Sequence, residues 1–288
     1  MVPPSPSDYN RDAGDWMPRA RARGGYVGVR VTADGLAVES PGGGLELVGF
    51  ESYVRRNTHE RPFAVVNDFI GTSVALALGV PVPPNAILEY RSERGHLSLA
   101  YGKGGMTTPP LTSSALKEAV KGDPWAATGI VVLDQWILNE DRYENVLQLP
   151  GRELVAIDHD NALLGHENPL DPTAALLASR DRVLTRHELV EHLPSWDNVL
   201  GWVARAKAIT DAELRRMCLR CYDSDLVSAS LRDALADFLI YRRQSVGAMM
   251  ETLRKSYSVF TDDLLTSEEA DPDDDGDVAP MVPGQVNP

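Results

Sequence analysis

A polar loop in the middle of the chain carries residue types that could do chemistry. Asp141 and Asn145 follow a strongly apolar segment, and Asp158 ends a short apolar run thirteen positions after Asn145. Two Asp residues and an Asn offer hard oxygen ligands, which suit Mg²⁺ because this ion prefers one or two carboxylates together with substrate phosphates. One carboxylate would then remain to orient a hydroxyl nucleophile. This division of labour is typical of phosphoryl transfer.

The same residues also permit a purely structural interpretation. Asp141 could cap a helix or a turn, and Asp158 could pair with Arg142. Asp and Asn are common in loops because their side chains bond to the nearby backbone. Residue types and spacing alone leave both interpretations open.

The elements predicted around this loop divide the chain into two unequal parts. Residues 25–102 alternate apolar and polar positions around glycine-containing turns, and residues 103–260 have mostly helical periodicity. This pattern predicts an α+β fold with a small β-rich lobe followed by a larger, mostly helical lobe. Expected strands are 26–32, 36–40, 45–50, 86–90, 97–101, 146–149 and 154–157, with turns at 33–35, 42–44 and 92–95; expected helices are 63–78 (amphipathic), 125–138, 171–179, 186–192, 197–208, 211–221 and 229–256.

Composition indicates a globular protein of the reducing cytoplasm. The chain has 288 residues, of which 43% are hydrophobic and 24% charged, enough for one large domain or two modest lobes. No apolar run approaches the roughly 18 residues of a membrane span, so we expect no membrane partner. Two cysteines exclude a disulfide-built secreted scaffold. Cys218 and Cys221 form a C-x-x-C pair without the further ligands that zinc needs, so we expect no metal or redox role for them.

Most of the negative charge lies at the end of the chain. The formal net charge is −14, but residues 261–288 hold nine acidic residues and no Lys or Arg, so the remainder carries only −5. We expect this segment to be a disordered acidic tail and residues 1–24 to be a flexible start. No basic stripe is present that could neutralise phosphates along a duplex, which argues against a nucleic-acid partner.

Several segments together resemble one family. Residues 134–142, followed by Asn145 and residues 157–159, are similar to the HipA-like kinases, bacterial relatives of the phosphatidylinositol 3/4-kinase and protein-kinase fold. Residues 66–68 and 76–83 resemble the helix of the small N-terminal lobe in that family and the exit from it. The resemblance runs patchily from about residue 25 to 256 and is most specific between 139 and 159. It implies a two-lobed, protein-kinase-like fold.

The resemblance also implies roles for individual residues. Asp141 would be the catalytic Asp that polarises the acceptor hydroxyl, and Asn145 and Asp158 would be Mg²⁺ ligands. Asp68 would be the helix acid that pairs with the nucleotide-binding lysine. The implied reaction is phosphoryl transfer from ATP, with Mg²⁺, to a hydroxyl group. The expected acceptor is a Ser or Thr of an unidentified protein, with a lipid or sugar hydroxyl as the alternative.

Two features depart from the family pattern. The first lysine of the chain is Lys103, so the expected strand lysine is absent and Arg55 is the best candidate to bind the nucleotide in its place. Arginine presents a planar fork where lysine presents a point charge, and the exchange is not conservative. In addition, Asn145 follows Asp141 by four positions where the family usually has five. One position moves a ligand by up to ~3.5 Å, so either the loop bends differently or one assignment is wrong.

These departures keep a second function open. The chain could be a catalytically impaired pseudokinase that senses a nucleotide or binds a protein. A third interpretation is an unrelated α+β protein whose Asp/Asn loop is structural. Turnover distinguishes the first two interpretations, and nucleotide binding distinguishes both from the third.

Overall fold

The computed structural model describes residues 26–39, 45–90, 93–99, 112–143, 145–149, 151, 153–165 and 168–257. The expected flexible start, the glycine turn at 42–44, Lys103 and the acidic tail lie outside these ranges. The strands are β1 (Tyr26–Glu39), β2 (Leu45–Arg56), β3 (Asn85–Tyr90), β4 (Glu93–Leu99), β5 (Val146–Gln148) and β6 (Leu154–Ala156). The helices are α1 (Ala64–Leu78), α2 (Ser113–Gly122), α3 (Pro124–Ile137), α4 (Pro172–Ser179), α5 (Asn198–Ala208), α6 (Asp211–Asp223) and α7 (Ala229–Lys255), with a 3₁₀ turn at Val190–His192.

The first four strands form one antiparallel sheet in the order β1-β2-β4-β3, and β5 and β6 form a separate hairpin. The predicted turn at 33–35 is wrong. β1 continues through it with a register irregularity between Thr32 and Ala37, which face Gly49 and Leu47 of β2. Because both halves of β1 pair with the same strand, the extra residues form an irregularity in the pairing and do not reverse the chain.

The predicted hairpin is present, because β3 and β4 pair antiparallel from Tyr90 and Glu93 onward. Its turn is displaced from the predicted 92–95, because Gly95 lies within β4 and pairs with Arg56 and Leu88. A Cβ atom at Gly95 would lie 2.8 Å from Cγ1 of Val54 and 2.9 Å from the carbonyl oxygen of Arg55. The glycine therefore permits close approach of β2. A glycine at such a position has the same local sequence pattern as a glycine in a turn.

Helix α1 lies between the sheet and the helices. It contacts β2, β3 and β4 on one side and α3, α5 and α6 on the other. Twelve of its fifteen residues are buried, so it is covered nearly all round and is not the amphipathic helix that we predicted. It ends as predicted at Gly79, which adopts φ +86°.

The remaining helices enclose an apolar core that includes Trp136 and Trp202, both fully buried. The long helix α7 packs on α3, α4, α5 and α6. Helix α2 was not predicted; its start is marked by Thr112, whose side chain accepts a hydrogen bond from the backbone N–H of Ala115. The predicted helix 186–192 is only the 3₁₀ turn, because the His187 ring binds the backbone N–H of Leu189 and competes with helical hydrogen bonding.

The architecture is therefore a mixed one, in which a small antiparallel sheet precedes a series of helices. No helix within the described ranges is both long enough and apolar enough to cross a membrane.

The contact between α3 and α5 leads to a first testable prediction. A Cβ atom at Gly129 would lie 2.5–2.9 Å from the indole ring of Trp202, whose Nε1–H is held by the carbonyl oxygen of Trp125. We expect Gly129→Ala to lower the free energy of unfolding by about 1–3 kcal/mol through overpacking. Urea denaturation checks this, with Gly151→Ala as the matched control, since a Cβ there meets nothing within 4 Å. Equal effects of the two substitutions would contradict the prediction.

Candidate functional site

The guanidinium of Arg55 lies where three segments meet: the end of β2, helix α1 and the segment after β6. Its Nε lies 3.0 Å from Oδ2 of Asp68, and its Nη2 donates to Oδ2 of Asp158 at 2.7 Å. Its Nη1 pairs with Oδ2 of Asp160. Only 3% of the Arg55 side chain is exposed. Three of the sequence-predicted site residues are thus in direct contact, and Asp160 joins them.

Helix α1 fixes the backbone of the segment that carries Asp158. Oδ1 of Asp68 accepts a hydrogen bond from the backbone N–H of His159 at 2.6 Å, and the Asn67 side chain donates to the carbonyl oxygen of Asp160 at 2.8 Å. At Gly71 a Cβ atom would lie 2.6 Å from Cβ of His159, so the two segments approach as closely as they do only because this position is glycine. Two neighbouring residues of α1 therefore hold the backbone of two neighbouring residues in the segment after β6.

The electrostatics of this cluster favour charged carboxylates. Burial raises the pKa of Asp68, but the nearby charges of Arg55 and His96 outweigh burial and hold that pKa well below its usual range. Asp160 has a second cation partner, since Nη1 of Arg61 donates to its Oδ2 at 2.6 Å. Burial and the charge of Arg142 lower the pKa of His159 to about 3, so its ring is neutral at physiological pH. His159 thus acts here through its backbone, its packing and the contact of its Nδ1 with the Thr72 hydroxyl at 3.3 Å.

The loop with Asp141 and Asn145 is a tight turn. The backbone N–H of Asn145 donates to the carbonyl oxygen of Arg142 at 3.0 Å, and the Asn145 side chain donates to the carbonyl oxygen of Asp141 at 2.8 Å. The loop therefore bends back on itself over the four-position spacing. The half-buried carboxylate of Asp141 forms no hydrogen bond or ion pair with any residue in the described ranges, so it caps nothing there.

Asn145 is also tied to the strand end that leads into Asp158. Its carbonyl oxygen accepts a hydrogen bond from the backbone N–H of Ile157 at 3.0 Å. Asp158 itself adopts a left-handed conformation with φ 55°, which Asp tolerates better than most residues and which is found often at functional sites.

A buried ion pair supports both parts of the site. Arg142 binds Asp134 of α3 with Nε and Nη2, each at 2.7 Å, and its Nη1 donates to the carbonyl oxygens of Asn145 and Ile157, each at 2.8 Å. Nε2 of His187 lies 2.9 Å from Asp134. The structural interpretation paired Arg142 with Asp158. In the structure Arg142 instead holds the loop at Asn145 and the end of β6 at Ile157 together.

The site residues that sequence reasoning missed are Asp160, Asp134 and His187. Asp134 did carry a signal, because a carboxylate within an otherwise apolar helix must find a partner when it is buried. His187 and Asp160 gave none, since their partners lie 53 and about 100 positions away.

Two of the predicted ligands, Asn145 and Asp158, carry oxygen donors of the kind that a hard cation prefers. Within the described ranges no group of three or more His, Cys, Asp or Glu side chains is arranged to hold a metal ion. Asn145 and Asp158 supply an amide oxygen and a carboxylate, which are ligands that Mg²⁺ accepts when substrate phosphates complete its shell. By residue type, the two residues fit Mg²⁺ bound together with a phosphate ligand, in which case Asp158 would share its carboxylate between the metal and Arg55.

The two cysteines have no part in this site. Cys218 and Cys221 are free thiols buried in the helical core. Burial raises the pKa of Cys218 to about 12 and raises that of Cys221 as well, which keeps both thiols protonated and unreactive.

Comparison with known proteins supports a kinase fold. No protein-family model matches the chain, and no curated protein matches it. Its fold is similar to the crystal structure of the Helicobacter pylori proinflammatory kinase CtkA, with a TM-score of 0.51 and 11% identity over 80% of this chain and 95% of that chain. A chain of the Shewanella oneidensis MR-1 complex of HipA, HipB and operator DNA matches with a TM-score of 0.41 and 10% identity over 81% of this chain and 66% of that chain. At the level of the fold, the similarity to CtkA agrees with the predicted kinase-like fold.

Proposed function

We propose that the protein is an ATP- and Mg²⁺-dependent phosphotransferase that acts on a hydroxyl group, with Ser or Thr of a protein as the acceptor. The observation that carries this proposal is the contact of Arg55 with Asp68 and Asp158. Kinases bring a strand cation, a helix acid and a metal-binding Asp together at the nucleotide phosphates. The same three kinds of group meet here, on a fold similar to that of a kinase.

The proposal includes a two-lobed arrangement. Residues 25–102 would form the small lobe and residues 103–260 the large one, with ATP between them and its adenine against β4. The boundary at 103–111 lies outside the described residues. The site of action would be the cytoplasm.

Each site residue has a defined task in this proposal. Asn145 and Asp158 would hold Mg²⁺, which when bound neutralises charge on the phosphates. Arg55 would orient the phosphates, and Asp68 would hold Arg55. Asp141 would accept the proton of the acceptor hydroxyl as that oxygen attacks the terminal phosphorus, while the bond from that phosphorus to the bridging oxygen breaks and ADP leaves. Catalysis would therefore consist of positioning and electrostatic stabilisation together with one proton transfer.

Thermal unfolding with and without Mg²⁺ and ATP tests the proposal before the acceptor is known. Ligand at 100 times its Kd stabilises a protein by about 2.7 kcal/mol, which gives a measurable rise in Tm. We expect this rise in the wild type, and we expect it to require Mg²⁺ and to disappear in Asp158→Asn. Asp197→Asn is the control, since Asp197 is exposed and its side chain makes no capping hydrogen bond. A wild type whose Tm does not respond to Mg²⁺ and ATP would contradict the proposal.

One observation favours a second candidate, a catalytically impaired nucleotide-sensing or protein-binding module. The buried guanidinium of Arg55 faces three carboxylates, those of Asp68, Asp158 and Asp160. If these contacts persist when ATP binds, little of the Arg55 charge is left for the phosphates. Release of ADP from ATP, with or without autophosphorylation, distinguishes the two functions. Binding of Mg²⁺ and ATP without any turnover would favour the module.

A further inference from the structure

We infer that Asp160 is a positioning residue of this site, which fixes the guanidinium of Arg55 for phosphate binding and makes the site specific for arginine over lysine. The inference rests on the proposed function. It concerns a residue that neither the motif nor its spacing singled out.

Asp160 is itself held rigidly. Its side chain is 2% exposed, and its Oδ2 pairs with Nη1 of Arg55 and lies 2.6 Å from Nη1 of Arg61. Its carbonyl oxygen is bound by the side chain of Asn67 on α1. Since both its backbone and its carboxylate are anchored, Asp160 can define where the Arg55 fork lies.

The shape of the Arg55 side chain explains why a third carboxylate matters. A guanidinium presents Nε, Nη1 and Nη2 in one plane and in different directions, and here they face Asp68, Asp160 and Asp158 respectively. Contacts at all three nitrogens determine both the position of the plane and its rotation. A lysine ammonium is a single point at the end of a flexible stem and cannot occupy the three positions at once.

Charge gives Asp160 a second effect. Asp68, Asp158 and Asp160 carry three negative charges against the two positive charges of Arg55 and Arg61. Replacing Asp160 with a neutral residue removes one of these negative charges, so we expect both the grip on Arg55 and the affinity for Mg²⁺ with ATP to weaken.

A double-mutant cycle tests the inference on the full chain. The variants are Asp160→Asn, Arg55→Lys and the double variant, and calorimetry measures the Kd for ATP with Mg²⁺ and the Kd for adenosine. We expect each single change to raise the Kd for ATP with Mg²⁺ about tenfold, a coupling of about 1.4 kcal/mol, and to leave the Kd for adenosine within about twofold. The double variant should bind no more weakly than the weaker single variant, because both changes disrupt one contact.

An exposed Arg–Asp pair provides the matched control. Nη2 of Arg215 lies 2.9 Å from Oδ1 of Asp237, and both side chains are more than half exposed. The corresponding cycle with Arg215→Lys and Asp237→Asn should leave both Kd values unchanged, since exposed pairs contribute little and lie outside the proposed site.

Three results would overturn the inference. Asp160→Asn could leave the Kd for ATP with Mg²⁺ unchanged, it could weaken ATP and adenosine alike as a general loss of structure would, or its effect could multiply with that of Arg55→Lys. If Asp160→Asn does not fold, Arg55→Lys decides alone, and wild-type affinity in that variant would overturn the inference.

Failure of the proposed function gives a different result. In that case the wild type binds no ATP in the presence of Mg²⁺. The Tm values of the same variants without nucleotide then decide whether Asp160 fixes Arg55. If the double variant loses less Tm than the sum of the two single losses, the contact between Asp160 and Arg55 is supported. If the double loss equals that sum, the contact is contradicted.

Discussion

The Asp141→Asn variant is expected to bind ATP with Mg²⁺ as tightly as the wild type and to transfer the phosphoryl group about 10²–10⁴ times more slowly. The amide keeps the size of the carboxylate but cannot accept the proton of the acceptor hydroxyl. Folding should be unaffected, because the Asp141 carboxylate has no partner among the described residues and the bond to Asn145 uses the Asp141 carbonyl oxygen. The rate at which the enzyme consumes the terminal phosphate of bound ATP in a single turnover measures the effect.

The design separates catalysis from binding. Asp197→Asn, an exposed change far from the loop in sequence, should leave both the rate and the Kd unchanged. A variant at Asp141 that retains the wild-type rate would show that another group takes the proton, or that proton transfer is not needed in the transition state. A variant that loses ATP binding would instead assign Asp141 to the nucleotide site.

The Asp134→Asn variant is expected to lose about 3–5 kcal/mol of unfolding free energy, because it leaves the charge of Arg142 buried without a carboxylate. Both side chains are almost completely buried. Arg142 also holds the carbonyl oxygens of Asn145 and Ile157, so the turn and the end of β6 should loosen together. Urea denaturation at pH 7 measures the loss. Asp237→Asn, which breaks an exposed pair, should cost less than about 1 kcal/mol.

The effect at Asp134 also has a predictable pH dependence. Burial raises the pKa of Asp134, but the charges and hydrogen bonds of Arg142 and His187 outweigh burial and hold that pKa below its ordinary value. The carboxylate therefore stabilises the folded protein above the ordinary Asp pKa of about 3.9, and this contribution is lost as the pH falls through the lower folded-state pKa. We expect the stability difference between wild type and Asp134→Asn to be constant near neutral pH and to shrink below about pH 4. A difference that stays constant into acid would contradict this origin.

The parts of the structure that the sequence predicted are those with local signals. The helix ending at Gly79, the apolar helix before the loop and the β5–β6 hairpin all lie within one or two positions of their expected bounds. Arg55 was identified as a candidate from the absence of any lysine before Lys103 and from its place before α1. Its contact with Asp68 was expected only from the resemblance, and its contact with Asp158 was not predicted.

The parts that were missed depend on distant contacts. Whether residues 33–35 form a turn or an irregularity within a strand depends on which strand the following residues pair with, and β2 supplies that partner. Gly95 is a residue type that favours turns, but here it lies in a strand because β2 packs closely against it. Asp160 and His187 acquire their partners only when segments far apart in sequence pack together, so no local window could identify them.

The nearly complete burial of α1 has a consequence for regulation. A helix can serve as a lever when one of its faces is free to separate from its surroundings. Twelve of the fifteen α1 residues are buried between the sheet and three helices, and any outward movement would expose apolar surface at about 25 cal/mol per Å². Separating Asp68 from Arg55 by a movement of α1 would therefore carry this cost in addition to the cost of breaking the buried ion pair.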